Sequence, residues 1–140
     1  MSNQDGDRRD GVSKGIVGFG HVTIVVNDLA ATKRFYGELL GLPEARRPPW
    51  TAPGAWYQIG AAHLHIQVKP EFVPHDYPVG PHFALFTPRE TYHDVIQRLE
   101  AAGVVFHVPP HQDADDNQWR AFCKDPTGNN VEITDHDPRG

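Results

Sequence analysis

The sequence predicts an α+β domain made of two βαβββ modules that form a curved mixed sheet around an internal cavity. Three observations carry this. Residues 18–43 ("GFGHVTIVVNDLAATKRFYGELLGLP") and 79–104 ("VGPHFALFTPRETYHDVIQRLEAAGV") repeat one plan: a Gly-containing turn, a His, a short apolar strand, then a helix closed by Gly. Each copy is followed by short runs with period-two alternation, the mark of half-buried strands. A Pro-rich stretch at 70–79 separates the copies.

Each element has a local reason. "HVTIVV" (21–26) alternates as a strand. Asn27 or Asp28 is placed to cap the helix that follows, and Gly41 to end it, with Ala30, Phe35, Leu39 and Leu40 as its buried stripe. A weak strand near 44–48 precedes "GAWYQIG" (54–60) and "AHLHIQV" (62–68), which read as neighbours. In the second module "HFALF" opens, and Tyr92, Val95, Ile96 and Leu99 follow helical spacing up to Gly103. Strands are expected at 104–108, 118–124 and 130–134, with a loop at 109–117 and a type I turn at "DPTG" (125–128). The modules span about 16–69 and 80–136 of one domain, 16–136, and polar residues 1–15 read as a disordered leader without a secretory signal.

Composition narrows the function. Net charge is −5 and pI about 5.9, so no basic field is present to hold nucleic acid or an anionic membrane. No apolar run is long enough to span a bilayer. The single cysteine, Cys123, rules out an internal disulfide and fits a reducing cytoplasm.

The chemistry sits on alternate positions. In "HLHIQV" Leu64, Ile66 and Val68 share one face, and His63, His65 and Gln67 share the other. His21 and His82 open the first strand of each module, and His65 and Glu132 lie in each module's last strand, as "LHI" and "VEI". All four project away from the helix side. Two pairs at equivalent positions can converge on one point under pseudo-twofold symmetry. Two imidazoles and a carboxylate leave coordination positions open and suit Fe, Mn, Ni or Zn as a divalent ion. On the same faces, Thr23, His63 and Gln67 are candidate substrate contacts. Arg120 and Phe122 alternate together, and Arg120 reads either as a grip on an anionic group or as a surface ion pair. Trp50, Trp56, Tyr57 and Trp119 are candidates for an apolar pocket. His75, His93, His107, His111 and His136 read as surface or loop residues.

With "GHVTIVVNDLAATKRFYGELLGL", "GPHFALF" and "DPTGNNVEI" in hand, the chain resembles the vicinal oxygen chelate superfamily over about residues 17–136. That superfamily includes glyoxalase I, bleomycin-resistance proteins, fosfomycin-modifying enzymes and extradiol dioxygenases. The resemblance implies one divalent metal per site, held by His21, His82 and Glu132, with His65 as a fourth ligand and Gln67 as a poorer one. It also implies a homodimer whose sites are shared, first-module ligands coming from one subunit and second-module ligands from the other.

The expected function is a glyoxalase-like lyase or isomerase that uses Lewis-acid catalysis on a small oxygenated substrate, with Glu132 or His65 as base. A non-haem Fe(II) dioxygenase is the enzyme alternative, because two His and one carboxylate form its facial triad. A metal-free binding protein of the bleomycin-resistance type is the other. Ring-cleaving dioxygenases and fosfomycin-modifying enzymes generally carry Tyr ten residues before the metal Glu; here that position is Phe122. The loop "HQDADDNQW" also lacks the Ser-rich character of a potassium loop. Both departures favour the lyase or isomerase.

Overall fold

Alternation decides which way each strand turns. The computed structural model describes residues 14–140, so most of the leader read at 1–15 lies outside the described residues. The first module contains β1 (His21–Val26), α1 (Leu29–Lys33, running on as a π-helical segment Arg34–Leu39), β2 (Gly54–Ile59) and β3 (Ala62–Val68). The second contains β4 (His82–Phe86), α2 (Arg89–Ala101), β5 (Phe106–Gln112), β6 (Trp119–Lys124) and β7 (Asn130–Thr134). The mixed sheet is divided, one sheet per module, with orders β1-β3-β2 and β4-β7-β6-β5. In both, the first and last strands of the module pair in parallel, β1 with β3 and β4 with β7. The predicted duplication is therefore present in the hydrogen bonding as well as in the sequence.

The even-numbered apolar residues of β1 and β3 turn inward. Val26, Leu64 and Ile66 are buried, and so are Val131 and Ile133 of β7 and Ala121 and Cys123 of β6. Both helices join them in one core through Phe35, Tyr36, Tyr92, Ile96 and Leu99. A groove of about 470 Å³, lined by Val22, Leu64, His82 and Phe83 among others, runs between the two sheets. None of the described helices is long and apolar enough to cross a membrane.

Asp28 is the N-cap of α1, its Oδ1 accepting from Ala31 N at 3.0 Å. Gly41 and Gly103 follow the helices with φ of +74° and +94°, where a side chain would be strained. The buried stripe of α1 differs from the expected one. Ala30 is exposed, whereas Thr32 and Tyr36 are fully buried. Thr32, Phe35 and Tyr36 stand at i, i+3 and i+4, so the inward stripe begins at Thr32 and leaves Ala30 on the other side. The helix widens after this stripe, Leu40 N bonding Phe35 O at 2.9 Å, five residues back.

Two strand limits also differ. The stretch 44–48 makes only one bridge, Glu44 to Tyr57, before Pro48 and Pro49 carry the chain away. β5 begins at Phe106, because Val104 N still caps α2 through Leu99 O at 3.0 Å. It then runs through Pro109 and Pro110 to Gln112, with register shifts on either side of Val108. An edge strand tolerates proline, since its outward side needs no donors.

A buried carboxylate joins the modules. The 125–128 turn closes through Gly128 N to Asp125 O at 2.9 Å, and Asp125 Oδ1 accepts from the amides of Thr127, Gly128 and Asn129. Its Oδ2 accepts from Tyr36 Oη at 2.8 Å. Burial, reinforced by this carboxylate, raises the Tyr36 phenol well above its ordinary range. Asn129 Nδ2 also donates to Val25 O at 2.9 Å. Tyr36→Phe deletes one donor to a buried charge, and we expect it to lower unfolding free energy by about 1–3 kcal/mol with the fold retained, as read by urea denaturation.

Candidate metal and substrate site

With the apolar faces turned to the core, the opposite faces of both sheets carry the polar groups. Parallel pairing fixes their neighbours: Thr23 stands opposite His65, and Ala84 opposite Glu132. On the first-module face, Thr23 Oγ1 lies 3.2 Å from His65 Nδ1. The Trp56 ring stacks on His65 at 4.3 Å and 13°, and the His21 ring meets Trp56 edge-on at 5.2 Å and His65 at 6.0 Å. Burial first, then the nearby His21 and Arg47, lowers the His65 pKa from its ordinary value. The shift disfavours the charged imidazole, and Nδ1 lies at the Thr23 hydroxyl. His63 is engaged with Gln58 Oε1 at 2.8 Å, and Gln67 is exposed at the far end of the strand.

The second-module face is built around Glu132, which is 7% exposed. His82 Nε2 lies 3.0 Å from Glu132 Oε1, and His82 Nδ1 lies 2.7 Å from Gly80 O. Phe122 packs edge-on against His82 at 5.0 Å. On the other side, Arg120 Nε is 3.5 Å from Glu132 Oε2. Arg120 also bonds Asp113 Oδ2 at 2.6 Å and Asp116 Oδ2 at 2.8 Å. That fork holds the Asp116 carboxyl down at about 2. All three guanidinium nitrogens thus face carboxylates, and Arg120 is a clamp on Glu132 and on the acidic loop. The ion-pair reading fits this geometry better than a grip on substrate.

His82 bears directly on metal fit. A carbonyl only accepts, so Nδ1 carries its proton toward Gly80 O, and Nε2 is left facing a carboxylate oxygen. Two lone pairs at 3.0 Å need a shared proton or a cation between them. A divalent ion held by both atoms would take the place of that proton. The donor set and its outer hydrogen bond therefore fit a divalent metal. Among the described residues, no group of three or more His, Cys, Asp or Glu side chains is close enough to hold an ion. The chain brings the predicted ligands together as two pairs, His21 with His65 and His82 with Glu132.

The other aromatic candidates separate by face. Trp50 joins Trp56 and His65, each at 5.8 Å. Tyr57 points into the core, and Trp119 packs on Tyr92 and His93 of α2. Arg47, which the sequence did not single out, lies by this face: its Nη2 donates to Ala52 O, and it is one cause of the His65 shift. Only its position in a Pro-rich loop beside Trp50 hinted at it.

The sequence model of the Glyoxalase/Bleomycin resistance protein/Dioxygenase superfamily matches residues 18–133. The chain belongs to that superfamily. Solved structures agree with this glyoxalase-superfamily fold. A glyoxalase family protein from Bacillus anthracis is 26% identical, with a TM-score of 0.70, covering 85% of this chain and 94% of that one. A lactoylglutathione lyase from Agrobacterium tumefaciens is 20% identical, with a TM-score of 0.67 and coverages of 85% and 93%. A fosfomycin resistance protein from Listeria monocytogenes, solved with Mn(II) and 1S,2S-dihydroxypropylphosphonic acid, is 17% identical, with a TM-score of 0.74 and coverages of 88% and 95%. No curated protein matches the sequence.

The lowered His65 pKa gives a testable sign. An unfolded imidazole takes its proton first as pH falls, so His65 adds stability above the ordinary imidazole range and loses it below. In metal-free protein, the His65 ring resonance is expected to titrate below an ordinary exposed imidazole. Arg47→Met, which removes a repelling cation, should raise the midpoint in the same NMR titration.

Proposed function

We propose that this superfamily member is a metal-dependent lyase or isomerase acting on a small oxygenated substrate, with composite sites across a homodimer. The observation that carries it is the 3.0 Å approach of His82 Nε2 to Glu132 Oε1, with Nδ1 committed to Gly80 O. His82 and Glu132 of one subunit, with His21 of the other, would hold the ion. The absence of any three-ligand cluster among the described residues of one chain favours completion by a second copy. So does the outward direction of both polar faces. A divalent ion there supplies Lewis-acid polarisation of substrate oxygen.

The chain's own groups divide the remaining work. His65, anchored at Nδ1 by the Thr23 hydroxyl, accepts the substrate proton at Nε2. Arg120 keeps Glu132 in one orientation from the side away from His82. Trp56 and Phe122 wall the two faces and exclude water from beside the imidazoles. Phe122 brings no phenol to His82, which supports isomerisation or lyase chemistry over ring cleavage.

Metal content and activity test this together. Glu132→Ala should lose bound Mn, Ni, Zn or Fe by elemental analysis, whereas His65→Gln should keep the metal and lose about 10²–10⁴-fold in turnover. The assays are hemithioacetal isomerisation and, against it, O₂ uptake with a catechol. Mixing the two inactive variants should restore one working site per heterodimer. Retention of metal by Glu132→Ala, or no recovery in confirmed heterodimers, would reject the ligand assignment or the sharing respectively.

A further inference from the structure

The first-module face holds two buried donors that find no acceptor among the described residues. Among the described residues, Trp56 Nε1 and Arg47 Nε are both inaccessible and unpartnered. A buried donor without an acceptor loses its hydration with nothing in return, so two on one face require a reason. Trp56 is 5% exposed, so its indole N–H cannot turn to water for a partner. Arg47 meets no carboxylate among the described residues, in contrast to Arg120, whose nitrogens face Asp113, Asp116 and Glu132. Ala52 O is engaged through Nη2, and Nε has no acceptor among the described residues. The face also has a removable cover. Trp50 lies over Trp56 and His65 at 5.8 Å from each, yet it is 55% exposed and hangs from a loop punctuated by Pro48, Pro49 and Pro53.

We propose that Arg47 and Trp56, covered by Trp50, form a subsite for an oxyanion carried on a flat, unsaturated body, the aryl carboxylate type of group. The two N–H groups supply donors to the anion, and the guanidinium supplies the charge. Trp50 swings from its resting contact to lie on the flat body, where an indole face gives stacking and apolar area. Arg120, already neutralised, does not compete for the anion. The proposal names the substrate class of the site described above and rests on that reading of the face as a substrate wall.

Benzoate and benzamide are the probes, matched in shape and differing in charge, titrated by tryptophan fluorescence at pH 7.5. The titration is run on metal-loaded and on EDTA-treated protein, so that failure of the metal assignment does not remove the readout. Wild type is expected to bind benzoate at least tenfold tighter than benzamide in both preparations. Arg47→Met should bring the ratio near one without changing metal content, and Arg47→Lys, which keeps the charge, should retain part of the preference. Trp50→Ala should weaken both probes several-fold while leaving their ratio. Equal binding of the two probes by wild type, or an unchanged ratio in a folded Arg47→Met protein, would overturn the subsite.

Discussion

Parallel pairing of the first and last strand within each module is the constraint on which the site depends. Strand alternation gives each residue only two directions, and a single shared core takes one of them. Once Val26, Ile66, Val131 and Ile133 are committed to that core, His65 and Glu132 must face the other way. The pairing then sets which groups meet, His65 beside Thr23 and Glu132 on the strand next to His82. A one-residue slip of either ladder would exchange ligands for aliphatics on both faces at once. The turn that launches β7 is densely bonded, with Asp125 gathering three amides and the Tyr36 hydroxyl.

The two faces differ in electrical character although they descend from one plan. The second-module face is built on charge: Glu132 lies between His82 and Arg120, and Arg120 is in turn held by Asp113 and Asp116. The first-module face is aromatic and weakly polar, with stacked Trp56 and His65 and a hydroxyl where the other has a carboxylate network. A site assembled from one of each has a rigid ionic half and a hydrophobic half with adaptable rings. This division suits binding an ion on one side and discriminating an organic body on the other.

Much of this was legible in the chain itself. β7 falls on its expected residues, Asp28 caps α1, and α2 buries Tyr92, Ile96 and Leu99 as its spacing requires. The face assignments of His21, His65, His82 and Glu132 needed only period-two counting. The rest lay beyond local pattern. The inward stripe of α1 begins at Thr32, a polar residue that a count of apolar positions passes over, and leaves Ala30 in solvent. Pro109 and Pro110 argue against a strand by propensity, yet an edge position accommodates them. Arg47 and the pairing of Arg120 with loop acids depend on contacts between segments that no spacing rule connects.

The proline pair in β5 bears on how the molecule can associate. β5 is the outermost strand of its sheet, and two of its seven residues lack an N–H. The ladder shifts around Val108 break what regularity remains. Such a border offers a poor template for an incoming strand, so end-on sheet extension and fibre growth are disfavoured there. The other outer strands, β1, β2 and β4, carry no proline and keep every N–H, so the block is confined to this one border.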